Sequence, residues 1–139
     1  MEITLNPGKD HVRKVTSTDI NQRIIKEIER NILYYSTQNP ESIKKRIGKL
    51  EKEWDVERTL ELNASVFALC GIVLASVHNK KWLIFSGLVT SFLAQHSIQG
   101  WCPPIPLFRK LGIRTQKEIQ TERHALLELL EKKHSTFPS

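Results

Sequence analysis

Residues 59–101, TLELNASVFALCGIVLASVHNKKWLIFSGLVTSFLAQHSIQGW, decide the fold: two apolar segments meet at the polar turn His78-Asn79-Lys80-Lys81. Between Arg58 and Lys80 there is one formal charge, Glu61, and between Lys81 and Arg109 there is none. A membrane-crossing helix needs ~20 mostly apolar residues, whereas runs of ~10–14 more often make buried helices of soluble domains. The strictly apolar portions, 64–77 and 82–94, lie in the range where both readings compete. Three features favour the membrane. The segments are apolar around the whole circumference rather than striped. Small residues, Gly71 and Ala75 in the first segment and Gly87 and Ser91 in the second, allow two helices to approach closely in lipid. Trp82 and Trp101 bracket the second segment where an aromatic belt belongs. The expected architecture is all-α, a two-helix transmembrane hairpin flanked by amphipathic cytoplasmic helices.

Working outward, residues 1–15 mix Asn-Pro-Gly with scattered charges and read as a mobile tail or extended lead-in. Residues 16–57 read as an amphipathic arm of two helices with a break at 36–40. Thr16-Ser17-Thr18-Asp19 supplies N-cap oxygens for the first, whose Ile20, Ile24, Ile28 and Ile32 form a stripe with Ile25 and Leu33 beside it. Asn39-Pro40 restarts the chain as cap and first helical residue. Ile43, Ile47, Leu50 and Trp54 then share one face while Lys44, Lys45, Arg46, Lys49 and Lys52 cover the rest. That pattern suits a helix on a membrane surface or one packed against the helix before it. Residues 58–114 hold the hairpin and its exit, Gly100-Trp101-Cys102-Pro103-Pro104, where the prolines forbid a continuing regular helix. Thr115-Gln116-Lys117-Glu118 is a capping box opening a last helix in 115–139, with Ile119, Leu126, Leu127 and Leu130 on one side.

The net charge of +6 is dispersed: twelve Lys/Arg against ten Asp/Glu in 1–58, and seven against four in 102–139. A modest excess of this kind marks a membrane-facing or solvated surface, and no basic-aromatic interleaving points to nucleic acid. Six Lys/Arg in 44–58 and four in 102–117, against two in the turn, place both termini in the cytoplasm by the positive-inside rule. No apolar run of signal-peptide length occurs in the first fifty residues, so insertion is expected to use the hairpin itself.

Chemistry-bearing residues are few. Cys102, after Trp101 and near Arg109 and Lys110, is the thiol candidate, because neighbouring cations raise the thiolate fraction. Cys70, mid-segment, reads as inert packing. Cys102-Pro103 with His96 matches a minimal haem-ligating dipeptide only at chance level, and no cofactor is expected. His96 with Gln95 and Gln99 reads as a polar cluster at headgroup level. Glu57, Glu61, Glu118 and Glu122 read as surface charges paired with Arg58, Lys117 or Arg123. The remaining histidines share no metal-ligand spacing.

Arg58-Thr59 ahead of a small-residue helix, a short turn, a second apolar helix, Trp101-Cys102-Pro103 and Leu111-Gly112 together resemble the YgaP-like transmembrane domain family. The resemblance covers roughly 54–115 and implies a small bacterial inner-membrane hairpin. Family members fused to rhodanese domains suggest that a thiol at Cys102 would receive sulfane sulfur or an oxidant. The chain departs from the family at Asn63-Ala64, where a glycine is usual, and in its double proline and long amphipathic arms.

The expected function is that of a small non-enzymatic integral membrane protein, a binding or scaffolding subunit. Its expected partners are the lipid bilayer, its own copies or a protein, with Trp54, Trp101, His96, Gly71, Ala75, Gly87 and Ser91 as interface candidates. A thiol-based sulfur or redox relay at Cys102, and a soluble helical interaction module with 59–101 as its buried core, are the alternatives.

Overall fold

The computed structural model describes residues 10–136, and among them every regular element is a helix. In chain order they are α1 (His11–Val15), α2 (Thr18–Ser36), α3 (Pro40–Glu51), α4 (Val56–Val77), α5 (Trp82–Gln99), α6 (Ile105–Lys110) and α7 (Gln116–Thr136). They form a helical base from which α4 and α5 project as an antiparallel pair.

The base is held by stripes readable in the sequence. Ile24, Ile28 and Ile32 of α2 are buried against Ala125 and Leu129 of α7. Ile43, Ile47 and Leu50 of α3 are buried with Ile119 and Leu126 of α7. So α7 is the common partner of both arms. The apolar face of α3 is neither laid on lipid nor paired chiefly with α2, because α7 supplies a longer complementary stripe. Asn39 caps α3 through Oδ1, which accepts from the Ser42 N–H at 2.8 Å, with Pro40 at the first position. The stripe stops at Leu50: α3 ends at Glu51, and Trp54 lies exposed in the link with the Arg58 guanidinium 4.5 Å above its ring.

Of the stretch read as a mobile lead-in, residues 1–9 lie outside the described residues, and the rest is the cap Asp10 and a short helix that buries Val12 and Arg13. Asp10 Oδ1 accepts from the Arg13 N–H while Oδ2 accepts from Thr115 Oγ1 at 2.8 Å, which seats α1 on the start of α7. Val12 joins Val56, Leu60, Cys102 and Ile105 in a third apolar cluster at the root of the hairpin.

α4 is capped by Asp55, whose Oδ1 accepts from the Arg58 N–H at 2.7 Å. At 22 residues it is about 33 Å long, enough for a bilayer's hydrocarbon core. One stretch within Pro40–Val77 is long and apolar enough to cross a membrane, and 11% of that window is buried. It belongs to α4, since α3 is rich in Lys and Arg. α5 carries no formal charge, but Gln95, His96 and Gln99 make its last turns polar. The two helices touch through small residues: Ser86 Oγ donates to the Ala68 carbonyl at 2.9 Å, and a Cβ on Gly71 would collide with that hydroxyl. Phe67, Phe85 and Trp82 add edge-to-face ring contacts. Residues 59–101 are therefore not a buried core: Leu62, Val66, Leu69, Val73, Val77, Leu83, Ile84 and Leu88 all face outward.

Candidate functional site

Where the hairpin meets the base, charged side chains that look superficial in the sequence are enclosed. Thr115 and Glu118 form the expected capping box: the Thr115 N–H donates to Glu118 Oε2 at 2.8 Å and the Glu118 N–H donates to Thr115 Oγ1 at 3.4 Å. The same carboxylate holds the guanidinium of Arg109, with Nη1 to Oε2 at 2.7 Å and Nη2 to Oε1 at 2.8 Å. Arg109 is completed by Asn21 Oδ1, Thr16 Oγ1 and the Ile113 carbonyl, and Arg13 Nε lies 3.4 Å from Glu118. One turn along α7, Glu122 accepts from Arg114 at 2.5 Å and from Arg46 at 2.9 Å, and Arg114 also binds Glu53. Burial alone would lower the Arg114 pKa; hydrogen bonds and charge from Glu53 and Glu122 outweigh it and raise it.

Glu118 and Glu122 are thus fully buried, not surface charges paired with Lys117 or Arg123; Arg123 instead reaches Glu51. Along α7, Glu118 and Glu122 precede Leu126 and Leu130, so an ionic layer lies between the hairpin-root cluster and the arm clusters. Burying charges is tolerable only when nearly every donor and acceptor is met, as it is here.

Beside this layer a cavity of about 640 Å³ opens between α1, the starts of α4 and α7, and the end of α5. Its lining includes Asp10, His11, Glu57, Glu61, His96 and Lys117. His96 Nδ1 is buried there with no hydrogen-bond partner. Its predicted companions instead pair with each other, Gln95 Nε2 donating to Gln99 Oε1 at 3.3 Å. His11 and His96, 85 residues apart, line the same cavity, which their separation in sequence concealed. Among the described residues, no three His, Cys, Asp or Glu side chains are grouped to hold a metal ion.

Cys102 packs in the hairpin-root cluster at 3% exposure, and burial pushes its thiol pKa up. Arg109, expected to activate it, is committed to Glu118. Cys70 lies exposed on the outer face of α4. The interface candidates divide. Gly71 is inside the hairpin and Ala75 half-buried, whereas Gly87 and Ser91 sit on the open face of α5, with nothing near the Gly87 Cα on its outer side. Trp54 and Trp101 are exposed at the root.

No family model, curated protein or solved structure matches this chain.

Proposed function

We propose that the chain is a small non-enzymatic membrane protein whose α4 and α5 insert together as a hairpin. The polar turn 78–81 lies on the far side and the helical base on the cytoplasmic side. The observation that carries this reading is the contrast in burial. The base encloses its own apolar clusters, while the hairpin leaves apolar side chains outward on both helices. A continuous apolar surface of this extent on a soluble monomer would promote association. The hydroxyls also suit lipid. Ser65, Ser76, Thr90, Ser91 and Ser97 each donate to the carbonyl four residues back, so no solvent is needed to satisfy them.

In this reading α5 crosses with α4 although its last turns are polar. Gln95 donates to Gln99, leaving the remaining amide groups to the headgroups and water, and His96 turns to the cavity at that depth. The resemblance to the YgaP-like family agrees with a bacterial inner-membrane location. The base serves as the binding or scaffolding part, and the open Gly87-Ser91 face of α5 offers a contact for a second copy in lipid.

The test is to express the chain, isolate membranes, and wash them at alkaline pH. A single-cysteine label at Lys80 in intact cells then reports sidedness. Retention with an externally labelled turn is expected; release by the wash, or a labelled terminus in place of the turn, overturns the reading.

A further inference from the structure

Helix α6 packs Ile105 and Phe108 into the hairpin-root cluster, yet it also buries a charge and leaves two leucines, one of them its C-cap, outside. Ile105 and Arg109 face inward at 0% and 1% exposure, while Leu107 and Leu111 face outward at 58% and 70%. In water the reverse would be favoured, since burying a leucine is worth ~1.5–3 kcal/mol and burying a guanidinium is costly. The ionic layer enforces this arrangement. Five donor contacts on Glu118, Asn21, Thr16 and the Ile113 carbonyl fix Arg109 inside and so aim both leucines out.

These leucines stand in a particular company. Trp101 lies just before the helix, exposed. The Val56 N–H donates to the Arg114 carbonyl at 3.0 Å, which ties the end of the α6 link to the start of α4. Trp54, Lys52 and Arg58 before and at the start of α4, and Lys110 at the end of α6, are exposed, with the exposed carboxylates Glu51 and Glu57 interleaved among the first three. Outward leucines, tryptophans and cationic side chains are residues that suit a membrane interface. Indoles favour headgroup depth, leucines the acyl boundary, and each lysine or arginine near an anionic leaflet adds ~1 kcal/mol. Ile105 and Phe108 seat α6 on the root of the hairpin, against Val56 and Leu60 of α4 and Phe92 and Leu93 of α5, so the outward leucines lie where the hairpin leaves the base.

We propose that α6 is a foot that rests on the bilayer surface. Leu107 and Leu111 enter the acyl boundary of an anionic leaflet, and Lys52, Arg58 and Lys110 meet the headgroups, fixing how deep the hairpin sits. This rests on the insertion reading above, and the experiment separates the two. A photo-crosslinking benzoylphenylalanine is placed at Leu111, or in a second protein at Leu69 on the outer face of α4. The full chain is reconstituted in vesicles of phosphatidylcholine and phosphatidylglycerol, and adducts are identified by mass. Both positions are exposed, so neither replacement disturbs a core.

Lipid adducts at both positions, with the Leu111 adduct falling when phosphatidylglycerol is left out, are the expected result. Lipid at Leu69 but only protein adducts, or none, at Leu111 overturns the foot and leaves insertion standing. No lipid at either position overturns both.

Discussion

The carboxylate of Glu118 closes the N-terminus of α7 and grips both terminal nitrogens of Arg109 at once, with both side chains out of reach of solvent. One residue therefore couples the capping of the base to the placement of α6. Removing the charge from one partner strands the other in a dry interior, which typically costs ~3–5 kcal/mol. Glu118→Gln is expected to lose that much in urea unfolding followed by circular dichroism in detergent. The exposed pair Lys44–Glu41 is the control, and Glu41→Gln is expected to stay within ~0.5 kcal/mol of the parent. Equal effects of the two substitutions would mean that the ionic layer is solvated.

A ranking follows within the second half of that layer. Glu122 is inaccessible and holds two arginines, Arg46 and Arg114, whereas Glu53 is 31% exposed and holds Arg114 alone. Glu122→Gln is expected to destabilise several-fold more than Glu53→Gln, because Arg114 keeps a buried partner in the second case. Solvent screening weakens the Glu53 contact further. The midpoints of the two variants in the same urea titration decide it. A larger loss for Glu53→Gln would contradict the geometry.

Most local signals in the sequence hold, although Ser17 starts α2 without a side-chain cap bond and Thr16 Oγ1 turns back to the Val12 carbonyl; the larger departures come from long-range pairing. Asn39-Pro40, the capping box and the polar turn act through neighbours within a few residues, so their spacing reveals them. The stripes of α2 and α3 were visible too, but a stripe does not name its partner, and α7 took both. Glu118 and Glu122 were misread because Lys117 and Arg123 stand beside them in sequence. Their actual partners come from other helices or from the link before α7: Arg109 from α6, Arg114 from that link, and Arg46 from 76 residues away. Asp10 and Val12 looked like tail for the same reason: Asp10 is held by Thr115, 105 residues on. The cavity at the hairpin root draws on four helices and left no motif to find.

Glycine substitutions separate backbone need from space. Gly100 ends α5 at φ +72°, and a Cβ there would also strike the His11 side chain. Gly100→Ala is expected to cost ~1–2 kcal/mol for the left-handed backbone alone and more for the collision with α1. Gly112 has φ +84° with open space, so Gly112→Ala is expected to show the backbone cost without the steric one. Gly87→Ala meets neither obstacle within one chain and, in a detergent that keeps the chain monomeric, is expected to be neutral or to gain up to ~1 kcal/mol of helix propensity. Thermal unfolding of the three variants in one detergent gives the order. A Gly87→Ala protein as damaged as Gly100→Ala would place a tight neighbour on the open face of α5.

The behaviour of Cys102 with pH tests whether the hairpin root is dry. Burial raises its thiol pKa, so the folded chain holds the neutral thiol more firmly than the unfolded chain does. No stability is lost below the ordinary thiol value of about 8.5. As pH rises from there towards the raised folded value, only the unfolded chain ionises, and stability falls. Cys102 in a Cys70→Ala background is therefore expected to resist iodoacetamide at neutral pH and to react promptly once denaturant is added. It is likewise expected to form no persulfide on exposure to sulfide and oxidant while folded. Alkylation of the native protein at the rate of a free thiol would show an accessible, ionised sulfur. That outcome would bring back a sulfur or redox relay at the hairpin root, with Arg109 released from Glu118 to serve it.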